Sequence, residues 1–130
     1  MTYALVFPGQ GSQSVGMLSA LAEQSSVVTD TFAEASEALG YDLWSLVQSG
    51  PEAELNQTQV TQPAMLTAGL AVYRVMQAQT SLRPAMMAGH SLGEYTAMVA
   101  SGAMRLADGV SLVALRGRLM QSAVPEGQGA

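Results

Sequence analysis

The sequence predicts an α/β fold in which parallel strands are flanked by helices. Two short apolar runs, residues 3–7 and 85–88, end at proline or glycine and are typical of buried strands. Helical segments separate and follow these runs, and such alternation favours a parallel sheet. Because two strands are few for a sheet, we expect the chain to be the N-terminal part of a larger α/β unit.

Helical patterns fill most of the remaining chain. Gly40 and the pair Gly50-Pro51 supply stops, and Pro63 suits the first turn of a helix that begins at Thr61. Residues 51–59 are polar and predict a loop with one turn of helix. The predicted helices are 15–24, 27–39, 41–49, 61–79, 92–100 and 106–121.

Several apolar side chains are expected in the core. The helix over 106–121 carries two stripes, one through Leu106, Val110, Val113 and Gly117 and one through Leu112, Leu115 and Leu119, which together predict a well-buried helix. The helix over 61–79 is apolar around most of its circumference and should be buried on more than one face. We also expect core positions for Trp44, Met86, Met87 and Met98.

Composition excludes several classes of function. The chain has 130 residues, 48% of them hydrophobic and 12% charged, which argues against disorder. A net charge of −5 does not suit binding to nucleic acid or to an anionic membrane. Without cysteine and with one histidine, neither a disulfide framework nor a metal site is expected. We see no signal peptide or membrane span and expect a cytoplasmic protein.

The stretch Gly89-His90-Ser91-Leu92-Gly93 is the strongest candidate for chemistry. Its G-x-S-x-G pattern is weak evidence alone, but it stands between a predicted strand and a predicted helix. That arrangement exposes a serine hydroxyl on a sharp turn, and the N-terminus of the following helix favours negative charge there. We interpret Ser91 as a nucleophile; the alternative is an ordinary helix N-cap serine.

A second candidate loop follows the first strand. In Pro8-Gly9-Gln10-Gly11-Ser12-Gln13, two glycines flank one glutamine. This can be a simple tight turn. Alternatively, it presents a backbone N–H to an oxyanion beside the nucleophile, since glycine permits close approach.

Four motifs in this order closely resemble bacterial malonyl-CoA:acyl carrier protein transacylases and the related acyltransferase domains of polyketide synthases. They are residues 7–13, Thr61-Gln62-Pro63-Ala64, residues 89–95 and Arg116-Gly117-Arg118. The resemblance implies that residues 1–120 are the N-terminal part of an α/β-hydrolase-like catalytic subdomain. It also implies that 121–130 is a linker towards a smaller ferredoxin-like subdomain, and that the complete protein is a monomer.

The resemblance also implies a ping-pong reaction without a cofactor. Serine takes malonyl from malonyl-CoA and passes it to the phosphopantetheine thiol of acyl carrier protein. By matching position, Ser91 resembles the nucleophile, the backbone N–H groups of Gln10 and Leu92 the oxyanion hole, and Arg116 the residue that binds the malonyl carboxylate. Gln62 resembles a residue that lines the site.

The catalytic histidine of the family lies in a C-terminal region, so we expect it outside this chain. His90 should face away from the Ser91 hydroxyl, because successive side chains leaving a strand point to opposite sides. We therefore expect it to line the substrate pocket or to bond structurally, and not to act as the base. Glu94 has no expected catalytic role, and Arg118 is expected at the surface.

Two other functions remain open at this point. A serine esterase or thioesterase would share the elbow but deliver the acyl group to water. A truncated domain would bind acyl-CoA or carrier protein without turnover. A carboxylate-binding arginine favours the transacylase over an esterase, which would use apolar residues there. The residues that choose malonyl over methylmalonyl are expected beyond Ala130.

Overall fold

A computed structural model describes residues 1–129. Within these residues the chain forms two strands and seven helices. In chain order they are β1 (Ala4–Phe7), α1 (Ser19–Gln24), α2 (Ser26–Leu39), α3 (Leu43–Ser49), α4 (Glu52–Leu55), α5 (Thr58–Gln79), β2 (Met86–Gly89), α6 (Leu92–Ala100) and α7 (Leu106–Ala123). The predicted α/β class is confirmed.

The two strands pair in parallel, as predicted. Their register places Ala4 opposite Met86 and Phe7 opposite Gly89. Since the carboxyl ends of parallel strands meet at one edge of a sheet, the loop after β1 and the turn after β2 lie side by side. This edge positions both of the candidate motifs.

The prediction that both strands are buried is wrong for one face of the sheet. Side chains alternate along each strand, and Phe7 is buried whereas Val6 and Met86 are 74% and 63% exposed. Helix α6 packs against both strands on the Phe7 side. The helices of the described chain therefore cover one face and leave the other open.

The core lies between α5, α7, α2 and α6. Every residue from Val60 to Ala68 is buried, so α5 is enclosed on more than one face, as predicted. Its predicted start at Thr61 is wrong. The helix begins at Thr58, because the Gln57 carbonyl accepts hydrogen bonds from the N–H groups of Val60 and Thr61, 2.8 Å each. Pro63 thus lies inside the helix.

Two other helices, in contrast, begin later than predicted. Helix α1 begins at Ser19 and not at residue 15, because Gly16 and Leu18 have left-handed backbones with φ of 88° and 65°. Helix α3 begins at Leu43 and not at residue 41, because Asp42 is its N-cap. The Asp42 side chain accepts a 3.0 Å hydrogen bond from the Ser45 N–H. Helix α2 ends at Leu39, and Gly40 is its C-cap, as predicted.

Helix α7 is buried along one stripe only. The stripe through Leu106, Val110, Val113 and Gly117 is buried as predicted. The second stripe, predicted to be buried, is exposed, with Leu119 at 61%. The prediction failed because an apolar stripe shows only that a helix face is suitable for burial. No element within residues 1–129 packs on the face that carries Leu112, Leu115 and Leu119. The helix also continues to Ala123, two residues beyond its predicted end at 121. That residues 121–130 form a linker stays a prediction, and residue 130 lies outside the described chain.

Of the methionines expected in the core, Met86 and Met98 are instead 63% and 43% exposed, and only Met87 packs partly against it. Trp44 packs at the edge of the core, with its ring centroid 4.9 Å from that of Phe32.

None of the helices in residues 1–129 has the length and apolarity needed to cross a membrane.

Candidate active site

Ser91 occupies a sharp turn between β2 and α6. Its backbone angles are φ 53° and ψ −114°, a conformation that L residues rarely adopt. Such a residue is strained by about 1–3 kcal/mol and persists only where the surroundings enforce it. The predicted elbow, strand to strained serine to helix, is therefore present.

The two glycines of the motif make this turn sterically possible. A Cβ on Gly89 would overlap the backbone of Gly93, and a Cβ on Gly93 would overlap the carbonyl of Phe7. Glycine at both positions lets α6 start directly against the ends of β1 and β2. The spacing G-x-S-x-G is thus explained by backbone contacts in this chain.

Ser91 does not act as a side-chain cap of α6. Its hydroxyl makes no capping hydrogen bond, and Oγ instead accepts a 3.0 Å hydrogen bond from Nη2 of Arg116. In the first turn the N–H groups of Gly93 and Glu94 donate to the carbonyls of His90 and Ser91. Within residues 1–129, no hydrogen bond occupies the N–H of Leu92, which remains available at the helix N-terminus.

The loop after β1 lies beside Ser91, as predicted. A Cβ on Gly9 would stand 3.1 Å from the His90 carbonyl oxygen and 3.8 Å from the Ser91 Cβ. The Gly11 N–H donates to Oε1 of Gln13 at 2.8 Å. No partner for the Gln10 N–H is found in the described chain, so Gln10 and Leu92 each offer a free N–H. That these two share one oxygen stays a prediction.

Arg116 connects α7 to the elbow. Its Nη1 donates to Oε1 of Gln62 at 2.9 Å, and its Nη2 donates to Oγ of Ser91 at 3.0 Å. The side chain is half-buried, whereas the neighbouring Arg118 is exposed, as expected. Two arginines that are two residues apart thus have separate roles: one faces the site and the other faces solvent.

Gln62 holds the centre of this hydrogen-bond network. Its side chain is fully buried, and Nε2 lies 3.5 Å from Oε1 of Gln10 and 3.2 Å from Sδ of Met120. The acceptor Oε1 therefore faces Arg116 and the donor Nε2 faces away from it. The structure thus brings together Ser91, Arg116, Gln62 and Gln10.

Two neighbours of the network were missed by the sequence analysis. The ring centroid of Tyr95 lies 5.3 Å from Cζ of Arg116, and Met120 contacts Gln62. Tyr95 lies in the first turns of α6, four residues after Ser91. Met120 follows Arg116 by four residues within α7, so these two share a helix face. The four-residue separation from a candidate site residue was the signal in the sequence that could have indicated Tyr95 and Met120. It does not determine which face of each helix lies at the site.

His90 stands apart from the network. Its side chain is exposed and, in the part of the chain that the structure describes, it makes no hydrogen bond with Ser91. Its backbone N–H donates to the Phe7 carbonyl at 3.2 Å. That His90 is not the base, and that it contacts substrate, both stay predictions.

The arrangement supplies some, but not all, of the groups that acyl transfer needs. It provides a hydroxyl on a strained turn, two free N–H groups and one cation. Between residues 1 and 129, no imidazole or carboxylate is hydrogen-bonded to Ser91 Oγ, and no cluster of three or more His, Asp or Glu side chains could hold a metal. A serine hydroxyl without a base is a weak nucleophile.

Known proteins resemble this chain in sequence. The malonyl CoA-acyl carrier protein transacylase of Escherichia coli strain K12 is 62% identical over 128 residues, which are 98% of this chain and 41% of that protein. The transacylase of the same name from Bacillus subtilis strain 168 is 46% identical over 127 residues, 98% of this chain and 40% of that protein. The chain therefore spans about two fifths of the length of these relatives.

Solved structures resemble it in fold as well. An acyl carrier protein S-malonyltransferase from Vibrio cholerae matches with a TM-score of 0.93 and 60% identity, covering 98% of this chain and 42% of that one. A malonyl-transacylase in complex with a type II PKS acyl-carrier protein matches with a TM-score of 0.94 and 58% identity, covering 98% and 41%. The family model for the acyl transferase domain matches residues 4–130. Since that match takes in nearly the whole chain and the elbow within it, this chain belongs to the acyl transferase domain family.

Proposed function

We propose that this chain carries the nucleophile and the carboxylate-binding residue of a malonyl-CoA:acyl carrier protein transacylase. The observation that carries the proposal is the 3.0 Å hydrogen bond from Arg116 Nη2 to Ser91 Oγ. It places a guanidinium, which pairs well with carboxylates, directly at the hydroxyl that would carry the acyl group.

The first half-reaction forms a malonyl-serine ester. Oγ of Ser91 attacks the thioester carbonyl, its proton passes to a base that we expect in the rest of the enzyme, and the C–S bond breaks to release CoA as the thiol. While the tetrahedral intermediate exists, the free N–H groups of Leu92 and Gln10 are the candidate donors to its oxyanion. The α6 N-terminus favours the same negative charge.

The second half-reaction returns the serine. The phosphopantetheine thiol of acyl carrier protein attacks the ester carbonyl, the C–O bond to Ser91 breaks, and Oγ regains a proton. No cofactor takes part in either half. Malonyl transfer of this kind serves fatty acid synthesis, and the proposal includes a monomeric enzyme in the cytoplasm.

Arg116 supplies the specificity for malonyl. The acyl group carries a free carboxylate a few bonds from the ester oxygen, within reach of a guanidinium that touches Oγ. Once Oγ is acylated it becomes a poor acceptor, so Nη2 is free to bind that carboxylate. A generic serine esterase or thioesterase gains nothing from a cation at this place, and the contact therefore favours the transacylase.

Intact-protein mass spectrometry tests the proposal. The full-length protein is incubated with malonyl-CoA, and the wild type should gain the mass of one malonyl group, whereas Ser91→Ala should gain none. Ser111→Ala is the matched control, because Ser111 is exposed on α7 and bonds only to its own helix at the Ala107 carbonyl. Labelling of Ser91→Ala to the wild-type extent would exclude Ser91 as the nucleophile.

A chase separates transferase from hydrolase. Holo acyl carrier protein, added to the malonylated enzyme, should acquire the malonyl group as the enzyme loses it. Loss of the label to water at the same rate with and without carrier protein would identify an esterase instead.

A further inference from the structure

Tyr95 lies at the site but has no role in the proposed reaction. It stands on α6 one turn after Ser91, and its ring centroid is 5.3 Å from Cζ of Arg116. The ring is half-buried and packs against the hydrophobic core. A ring fixed by packing can hold a flexible partner in place, and Arg116 is such a partner, because its long side chain loses much rotamer freedom when it is ordered.

Three groups hold the Arg116 side chain in place: Gln62, Ser91 and the Tyr95 ring. Only the contact with Ser91 changes during the reaction. Gln62 Oε1 accepts from Nη1, and Ser91 Oγ accepts from Nη2. Acylation of Ser91 weakens the second contact. Gln62 and the Tyr95 ring then remain to keep the guanidinium at the elbow.

An aromatic ring is a suitable anchor for a cation that must bind an anion. It attracts the guanidinium through its electron-rich face without using an N–H donor and without neutralising the charge. A carboxylate anchor would compete with the substrate for the same donors. The two salt bridges found in residues 1–129 join Arg74 to Glu34 and Arg105 to Asp108, and neither involves Arg116.

We propose that Tyr95 is a positioning residue that holds Arg116 over the acyl-serine through its aromatic ring and does not require its hydroxyl. No hydrogen bond from that hydroxyl is found within the described chain. This inference rests on the proposed function, because it assigns Tyr95 to the selectivity for an acyl group that bears a carboxylate.

Substitutions in the full-length enzyme separate the ring from the hydroxyl. Tyr95→Leu keeps apolar bulk but removes the ring, and the ratio of kcat/KM for malonyl-CoA to that for acetyl-CoA should fall roughly 2- to 30-fold. Tyr95→Phe keeps the ring, so the ratio should stay within about twofold of wild type. Tyr41→Leu is the matched control, because Tyr41 lies before α3 and outside the site; its ratio should equal that of wild type.

A spectroscopic measurement tests the contact without turnover. In the substrate-free enzyme, the side-chain Nε–H resonance of Arg116, assigned by its loss in Arg116→Lys, should show a ring-current shift. That shift should persist in Tyr95→Phe and vanish in Tyr95→Leu. The wild-type enzyme must show the ring-current shift in any case, so the contact can be tested even if the Tyr95→Leu variant does not fold.

The outcomes distinguish this inference from the proposed function. If Arg116→Ala lowers the malonyl-to-acetyl ratio but folded Tyr95→Leu does not, the positioning role of Tyr95 is wrong while the transacylase proposal stands. If Arg116→Ala leaves the ratio unchanged, the proposed function fails and Tyr95 has no selectivity to support. A wild-type Arg116 resonance without a ring-current shift overturns the inference by itself.

Discussion

Phe7, the last residue of β1, and Gly93, in the first turn of α6, are packed so closely that a Cβ on Gly93 would overlap the Phe7 carbonyl oxygen. The first turn of α6 thus rests directly on the backbone of β1. This contact keeps the Leu92 N–H, the Ser91 hydroxyl and the loop after β1 within one small region.

Gly93→Ala should therefore damage both stability and chemistry. The added methyl meets backbone atoms that cannot move aside, so we expect a loss of about 1–3 kcal/mol in the free energy of unfolding. Because α6 must shift, formation of the malonyl-enzyme should slow as well. Urea denaturation and the rate of the malonyl mass increment measure the two effects. If Gly93→Ala had the stability and the labelling rate of the wild type, the space between residue 93 and the Phe7 carbonyl would have to be wide enough for a methyl group.

The local features of the elbow could be predicted from the sequence, but its wider surroundings could not. Two glycines around a serine, between an apolar run and a helical pattern, are a signal that can be recognised within one short stretch of sequence. The contacts of Tyr95 and Met120 depend on how α6 and α7 pack, which the spacing of residues within one helix does not determine. The open face of the sheet and the exposed stripe of α7 were mispredicted because an apolar pattern does not identify what covers it.

Gly117→Ala tests how α7 brings Arg116 to the site. A Cβ on Gly117 would stand 2.7 Å from both the Gln59 Cα and the Thr58 carbonyl oxygen, so α7 touches the first turn of α5 here. Alanine gains about 1 kcal/mol of helix propensity, but overpacking against backbone costs about 1–3 kcal/mol. We expect net destabilisation and a weaker link between Arg116 and Gln62, which lowers the malonyl-to-acetyl ratio.

Gly109→Ala is the control for that experiment. It makes the same change on the same helix, but the nearest atoms to its Cβ are side-chain atoms, with Val99 Cγ2 at 2.7 Å, which can give way more readily than backbone. Its loss of stability should be smaller and its malonyl-to-acetyl ratio unchanged. If Gly109→Ala and Gly117→Ala lowered the stability and the malonyl-to-acetyl ratio equally, the contact of Gly117 with α5 would not be what positions Arg116.

The peptide of residues 1–130, expressed by itself, should show little transacylase turnover. Its one histidine, His90, is exposed and makes no hydrogen bond with Ser91 in the described part of the chain. Loss of a catalytic base typically lowers the rate by several orders of magnitude, on the order of 10³ or more. The open apolar face that includes Val6 and Met86 should also promote aggregation. Transfer assays and light scattering measure these properties, and robust transfer would show that a base lies within these residues.

Arg116→Ala distinguishes a malonyl transferase from a general acyl transferase. A charge-assisted pair between the guanidinium and the malonyl carboxylate is worth about 1.5–3 kcal/mol, or roughly 10- to 150-fold in preference. The variant should lose at least the lower factor in kcat/KM for malonyl-CoA. Acetyl-CoA has no carboxylate, so its kcat/KM should change far less. Arg116→Lys should recover only part of the preference, because an ammonium is a point charge and lacks the planar fork that Gln62 and a carboxylate can share.

The matched control for this prediction is Arg118→Ala. It removes the same charge from the same helix, two residues away, at a position that is exposed. A general effect of net charge on the binding of CoA esters would lower kcat/KM for both thioesters in both alanine variants, whereas carboxylate recognition affects only Arg116 and only malonyl. The decisive quantity is therefore the ratio of kcat/KM for the two thioesters. If that ratio is the same in wild type, Arg116→Ala and Arg118→Ala, the hydrogen bonds of Arg116 to Ser91 and Gln62 are structural, and the preference for malonyl must come from other residues.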